Sequence, residues 1–214
     1  MTETRLTKAA VELRAETDIP RLAGYAAKFD TYSQNLGGFV EQIDRGAFDK
    51  SIADGGDVLC RYNHEDAGLL GRTSSGTLRL GHDSVGLTYE VDLPDTTVGR
   101  DVRVLAARGD VTQSSFAFET VDDDWSVTDQ GFPLRTLLRV RLLDVAPVNS
   151  PAYLDTSAAV RSLAGRLDVD PAEVPELHAR GEIAARLKTP TVIDTAPRLL
   201  AEARRRLHEL SLTI

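Results

Sequence analysis

GDVTQSSFAFET, residues 109–120, decides the fold, because its β-forming residues and its alternation are typical of a strand with one buried face. In a strand, successive side chains point to opposite faces. Phe116 and Phe118 then mark the core side and share it with Ser114. Ser115 projects from the opposite face, beside a small alanine. The stretch therefore predicts a sheet whose second face presents a serine.

Similar short segments lie on both sides of this strand. Up to about residue 160, segments rich in Val, Leu, Phe, Thr and Tyr alternate with clusters of Gly, Asp, Asn and Ser, a spacing typical of an all-β or mixed sheet. Two helical patterns interrupt them, RGAFDKSIAD at 45–54 and TVGRDVRVLAAR at 97–108, and Gly109 closes the second. The sequence therefore predicts a mainly β fold with helices, of the α+β class.

The character of the chain changes near residue 160. Beyond Ala164 it reads as helix with polar hinges, first DPAEVPELHARGEIAARLK at 170–188 and then DTAPRLLAEARRRLHELSL at 194–212. We therefore expect one domain over residues 1–160 and a helical C-terminal extension over residues 161–214.

Composition excludes several classes of protein. The 214 residues are 42% hydrophobic and 27% charged, which is ordinary for a folded globular protein. No apolar run approaches the roughly 20 residues that cross a bilayer, and the start of the sequence lacks an apolar signal core. The single cysteine fits a reducing, cytoplasmic compartment. A net charge of −8 repels phosphate backbones, so we expect no nucleic-acid partner, and the lack of a long apolar run leads us to expect no membrane.

Metal and thiol chemistry are disfavoured by the residues available. Only four histidines are present, His64, His82, His178 and His208, and one cysteine cannot form a thiolate cluster. We therefore expect no metal and no cofactor. Cys60 lies inside the apolar run DVLC, where burial raises the pKa of a thiol, so it is a poor candidate nucleophile.

His64 and Ser115 are the stronger candidates for chemistry. His64 follows the apolar strand VLC and precedes a glycine-containing turn, where a rigidly held imidazole could take and return a proton. Ser115 could act as a nucleophile on its strand face. Spacing alone leaves open the alternatives that His64 is a surface histidine without a role and that Ser115 is a solvent-facing strand residue. Ser114 is the competing hydroxyl if a bulge shifts the strand by one residue.

A third candidate lies in PLRTLLRVRLLDVAPV, residues 133–148. Strict alternation places Asp144 in one row with Leu138, Val140 and Leu142, and a carboxylate entering an apolar row is costly unless it is paired. The imidazole of a histidine base is one partner that would satisfy it. The alternative is a solvated residue at the strand end. Arg139 and Arg141, on the other face, are interpreted as solvated charges.

Taken in order, these pieces resemble the HK97-type prohead proteases, the capsid maturation serine proteases of tailed bacteriophages. The resemblance spans roughly residues 22–157 and is carried by GYAAKFDTYSQNLGGFVEQIDRGAF, VLCRYNHEDAGLLGRT, GLTYEVDLPDT, RGDVTQSSFAFE and LLDVAPVNSPAYLDT. The histidine of the family's NH motif falls on His64, the serine of its SFGF motif on Ser115, and the acidic residue before its closing V-x-x-PAY segment on Asp144. Gln113 and Ser114 replace the small residues that usually precede the serine.

The resemblance implies a closed β-barrel similar to the herpesvirus assemblin proteases. It also implies a serine endopeptidase with His64, Ser115 and Asp144 as catalytic residues. The implied substrates are scaffolding segments, the major capsid protein and the protease itself, cut inside the assembling prohead in the host bacterial cytoplasm. A homodimer is expected by the same analogy. The alternative is a catalytically silent capsid-assembly scaffold protein with the same fold.

Overall fold

The structure is a computed structural model that describes residues 1–7, 11–14, 20–149 and 156–188. Strands dominate the described residues, as the sequence predicts. The strands are β1 (Thr2–Thr7), β2 (Val11–Arg14), β3 (Arg21–Lys28), β4 (Val40–Ile43), β5 (Leu59–Arg61), β6 (Leu69–Arg72), β7 (Leu78–His82), β8 (Gly86–Asp92), β9 (Gln113–Val127) and β10 (Pro133–Val148). The helices are α1 (Asp49–Ala53), α2 (Thr97–Arg108), α3 (Thr156–Leu167), α4 (Val174–Ala179) and α5 (Ile183–Lys188).

The described strands form two sheets. The larger sheet has the order β1-β9-β10-β5-β6, and β4 also pairs with β10. The smaller sheet has the order β2-β3-β8-β7. The strand pairs of the described residues close no ring, so the mainly β, mixed class is confirmed whereas the closed barrel stays a prediction.

Strand β10 organises the larger sheet. It runs antiparallel to β9 over nearly its whole length, while its other edge pairs in parallel with β4 and then with β5. The pairing with β5 sets Asp144 beside Leu59 and Val145 beside Cys60. This register brings the end of β5, and the residues that follow it, to the carboxylate of Asp144.

Bulges make the two faces of β10 differ from strict alternation. Leu142 pairs with Phe118, but the next paired residue is Asp144, opposite Ala117, so Leu143 is an extra residue in the ladder. A bulge of this kind turns the following side chains to the other face. The prediction that Asp144 continues the row of Leu142 is therefore wrong, because Asp144 lies on the face of Ala117 and Ser115.

The main core is apolar and lies between the sheets. Phe116 and Phe118 belong to it and stack with their ring centroids 5.1 Å apart, which confirms the predicted core side of β9. Helix α2 has the predicted bounds and buries Val102. Its first turn is capped by the hydroxyl of Thr96, and it ends at Gly109 with φ 81° in the left-handed region.

Helix α1 is shorter than predicted. It occupies only Asp49–Ala53, although Phe48 just before it is fully buried. The preceding residues form turns instead of helix, because Asp44 caps the local backbone by accepting from the amide of Gly46.

A second apolar cluster joins the C-terminal helices to the sheet. Leu163 of α3, Leu177 of α4 and Ile183 of α5 pack with Phe39 and Trp125. The expected boundary at residue 160 falls inside α3, and the division into two units stays a prediction. The predicted helix over residues 194–212 lies outside the described residues.

Strand β1 is held by buried ion pairs. Arg5 Nε donates to Glu41 at 2.7 Å and its Nη2 donates to Glu3 at 2.7 Å. Arg135 on β10 donates to the same two carboxylates, at 2.8 Å to Glu3 and 3.1 Å to Glu41. All four side chains are at most 5% exposed. Each buried charge has a partner of opposite sign, as the burial of charged groups requires. These ion pairs hold β1 along the edge of β9.

Candidate active site

Three side chains from separate parts of the chain converge on one face of the larger sheet. Nε2 of His64 lies 2.7 Å from Oγ of Ser115, and Nδ1 of the same ring lies 2.7 Å from Oδ1 of Asp144. His64 is therefore within hydrogen-bonding distance of both other residues proposed from the sequence, Ser115 and Asp144. The order along the contacts, hydroxyl to imidazole to carboxylate, is that of a Ser–His–Asp triad.

Ser115 occupies the middle of the sheet. It lies on β9 between Leu6 of β1 and Ala146 of β10. The side chain has no exposed surface, so the interpretation of Ser115 as a solvent-facing strand residue is wrong. Its hydroxyl also donates to the carbonyl oxygen of Arg5 at 2.9 Å. The single hydroxyl proton thus has two acceptors within reach, this carbonyl and Nε2 of His64.

Ser114 points to the opposite face. Its Oγ lies 2.9 Å from the hydroxyl of Tyr89, and both side chains are buried. Since no bulge separates Ser114 from Ser115 in the ladder with β1, the two hydroxyls remain on different faces. Only the hydroxyl of Ser115 contacts the imidazole.

His64 is presented by a tight turn that follows β5. The turn covers Tyr62–His64, and Asn63 and His64 have positive φ angles of 54° and 61°. Such backbone is uncommon for residues with a side chain, although asparagine tolerates it. The Oδ1 atom of Asn63 accepts from the amide of Asn149 at 3.1 Å, which ties the turn to the end of β10.

A glycine allows this turn to pack closely. A Cβ atom at Gly68 would lie 2.7 Å from the carbonyl oxygen of Tyr62, so the site requires the absence of a side chain. In this turn the imidazole of His64 is 18% exposed. His64 therefore faces both the buried serine and the exterior.

Asp144 is fully buried but well partnered. Its Oδ1 faces His64, and its Oδ2 accepts from Nε of Arg61 at 2.8 Å and also from Nη2 of that guanidinium. Burial alone would raise the pKa of the Asp144 carboxyl, but the hydrogen bonds and positive charges of His64 and Arg61 outweigh burial and hold that pKa below its ordinary value. The interpretation of Asp144 as a solvated strand end is wrong.

Cys60 lies beside the site without joining it. Its side chain is fully buried, and burial together with the nearby charge of Asp144 raises the pKa of the thiol. This confirms that Cys60 is a poor nucleophile. Within the described residues, no group of three or more His, Cys, Asp or Glu is arranged to hold a metal ion. No helix in this part of the chain is long and apolar enough to cross a membrane.

Arg139 and Arg141 take no part in the site. Their guanidinium groups are 47% and 62% exposed and pair with carboxylates of β9, Asp122 and Glu119. This agrees with their interpretation as solvated strand charges.

Two residues of the site escaped sequence reasoning, Arg61 and Asn63. A signal for Arg61 existed, because a cation directly after the apolar run VLC needs a partner if it is drawn into the core. Asparagine tolerates left-handed backbone, but this property indicates a role for Asn63 only when the conformation of the turn is known.

The geometry defines a class of protein, the serine hydrolases that use an imidazole base and a carboxylate. Comparison with known families narrows this class. Residues 5–167 match the family model of the caudovirus prohead serine proteases, and the chain belongs to that family. Capsid maturation by a serine protease is the activity of this family.

No curated protein sequence matches the chain. Among solved structures, the bacteriophage T4 capsid assembly protease gp21 is similar with a TM-score of 0.48 and 9% sequence identity. The alignment covers 70% of this chain and 99% of the T4 protein.

Proposed function

We propose that the protein is an active endopeptidase with Ser115 as nucleophile, His64 as general base and Asp144 as the residue that orients His64. The observation that carries the proposal is the pair of 2.7 Å contacts that the two ring nitrogens of His64 make with Ser115 and Asp144. A nucleophile, a base and an orienting group joined in this order are the minimum for acyl transfer.

The chemistry follows from the contacts. Asp144 accepts a hydrogen bond from Nδ1–H of His64, which leaves Nε2 as the acceptor of the neutral ring. Oγ of Ser115 attacks a peptide carbonyl while its proton moves to Nε2, and His64 then gives that proton to the leaving amine. Water, deprotonated by His64, hydrolyses the acyl-enzyme and restores Ser115.

Two features of Ser115 constrain this reaction. Its hydroxyl proton must turn from the carbonyl of Arg5 to Nε2 of His64 before attack. The side chain is also buried, so a peptide reaches Oγ only when neighbouring chain moves aside. Such opening steps often govern turnover in enzymes.

The substrates we propose are scaffolding segments of the capsid assembly, the N-terminal extension of the major capsid protein, and the protease itself. Membership of the prohead protease family supports this choice. The site of action we propose is the inside of the assembling prohead, in the host bacterial cytoplasm. A homodimer and a closed barrel stay predictions from resemblance.

Co-expression with the cognate capsid protein tests the proposal, with fragment sizes as the measurement. The wild type should trim the capsid protein, and Ser115→Ala should lower cleavage by a factor on the order of 10⁴ or more. Ser114→Ala is the matched control and should still cleave, because its hydroxyl contacts Tyr89 on the opposite face.

Two outcomes would contradict the proposal. Cleavage by Ser115→Ala at the wild-type rate would exclude Ser115 as nucleophile. A folded wild type that neither cleaves nor reacts with a fluorophosphonate probe would instead be the silent assembly scaffold protein.

A further inference from the structure

Arg61 contacts the buried carboxylate of the site from the side opposite His64. Its Nε and Nη2 atoms both donate to Oδ2 of Asp144, which leaves Oδ1 to His64. We infer that Arg61 is a positioning residue, which fixes the plane of the Asp144 carboxylate so that Oδ1 stays directed at Nδ1 of His64. This inference rests on the proposed function.

The position of Arg61 follows from strand register. Leu59 of β5 pairs with Asp144 of β10, and Arg61, two residues further along β5, extends from the same face to the carboxylate of Asp144. The far edge of the guanidinium donates from Nη1 to Asp66, whose side chain is 98% exposed. Arg61 itself is 19% exposed. The group therefore bridges a buried carboxylate and one at the surface.

The shape of the guanidinium explains why arginine suits this place. A carboxylate held through one oxygen alone can rotate about its last torsion and exchange its oxygens. Here Arg61 holds Oδ2 while His64 contacts Oδ1, so the two oxygens cannot exchange. The planar guanidinium directs two donors at Oδ2, whereas the ammonium of lysine is a point charge without a preferred plane. A base misplaced by about 1 Å can cost roughly 10²-fold in rate.

Arg61 also sets the charge around His64. The charged groups that meet there are Arg61 from β5, Asp144 from β10 and Asp66 from the turn Asp66–Gly68. The cation of Arg61 opposes a second positive charge on the imidazole. Removing it should favour the protonated ring, so the acid limb of the pH–rate profile should move to higher pH.

The test measures the rate at which a fluorophosphonate probe labels the full chain between about pH 5 and 9. Arg61→Gln should label roughly 10²-fold more slowly than wild type, with the acid limb displaced to higher pH. Arg61→Lys keeps the charge and loses the fork, so it should label slowly with the wild-type acid limb. Arg141→Gln, which removes an exposed pair with Glu119, is the control and should match wild type.

The outcomes separate the inference from the proposed function. Wild-type rate and profile in folded Arg61→Gln would overturn the inference and leave the proposed function intact. A second outcome would also overturn the inference. If the unfolded fraction of Arg61→Gln fully explains its slower labelling, the acid limb does not move, and Arg61→Lys labels like wild type, then Arg61 has only a structural role. A folded wild type that does not label would overturn the proposed function itself.

Discussion

Asn63 and His64, with φ angles of 54° and 61°, hold adjacent left-handed conformations in the turn that presents the imidazole. Each left-handed residue with a side chain costs about 1–2 kcal/mol. The hydrogen bond from the amide of Asn149 to Asn63 and the close packing at Gly68 offset this conformational cost. Conformational cost concentrated at one turn is typical of functional sites.

Replacing Asn63 separates its backbone role from its side-chain role. Asn63→Gly keeps the left-handed conformation but loses the acceptor for the amide of Asn149, so the turn should loosen and probe labelling should fall roughly 10-fold, or about 1.4 kcal/mol. Asn63→Asp keeps an acceptor and tolerates the same φ, so it should label close to wild type. Labelling kinetics and circular dichroism of both variants check this, and equal rates for the two would contradict it.

Each of His64, Ser115 and Asp144 carried a chemical signal that left a structural alternative open, and the resemblance to the prohead proteases is what grouped the three as catalytic residues. Alternation along the strand favoured Ser115 but left Ser114 open, and the contacts of the two hydroxyls on opposite faces distinguish them. The supporting contacts of Arg61 and Asn63 could not be predicted, since they depend on where the turn after β5 meets β10. Such contacts join residues far apart in the chain, and no local pattern encodes them.

At the scale of elements, the extra residue Leu143 explains why strict alternation from Leu142 predicts the wrong face for Asp144. The face of Asp144 was predicted wrongly because a bulge leaves little trace in an apolar strand such as LLRVRLLDV. Helix α2, by contrast, was predicted with correct bounds, since Thr96 and Gly109 are local capping residues.

Deleting Leu143 tests the role of this bulge. The deletion should restore a regular ladder in which Asp144 directly follows Leu142 and still pairs with Ala117. We therefore expect a folded protein that the fluorophosphonate probe still labels. Deleting Val145 instead shifts either Asp144 or all the residues after it by one register position. We expect this deletion to abolish labelling, because Asp144 and the following residues can no longer keep their positions together. A folded Leu143 deletion without labelling would contradict this prediction.

At the scale of the whole molecule, the buried charges that hold β1 make stability depend on pH. Burial alone would raise the pKa of Glu3, but bonds and charges from Arg135 and Arg5 outweigh it and hold that pKa below the ordinary 4.5. A carboxyl with a lowered pKa in the folded state binds fewer protons there than in the unfolded chain. Its stabilisation is complete above about pH 4.5 and is lost as pH falls through the folded-state pKa.

Urea unfolding at pH 7, 5, 4 and 3 should show this loss in the wild type. Glu3→Gln should lower the free energy of unfolding at pH 7 by about 3 kcal/mol, because Arg5 and Arg135 each lose a charged partner. Its remaining stability should fall less steeply below pH 5 than that of the wild type. Glu182→Gln breaks an exposed pair with Arg186 and should keep the wild-type slope. Equal slopes for Glu3→Gln and wild type would exclude Glu3 as a source of acid sensitivity.

The order of strands in the larger sheet lay beyond sequence reasoning. The β content was readable from alternation, but the parallel pairing of β10 with β4 and β5 joins distant segments. The ion pairs of Glu3 and Arg5 were equally hidden, since charged residues in a short strand read as solvent-facing.

Strand β1 lies against a strand made much later in synthesis, and Arg5 and Ser115 are separated by 110 positions. At typical elongation rates, a ribosome needs roughly 5 to 20 s to translate that distance. Until β9 emerges, the nascent β1 segment has no edge to join, and Glu3 and Arg5 remain hydrated. The surroundings of Ser115 therefore cannot assemble before β9 is made. A chain stopped before residue 115 lacks the hydroxyl that the proposed function needs, so under that proposal it cannot cut the proteins around it.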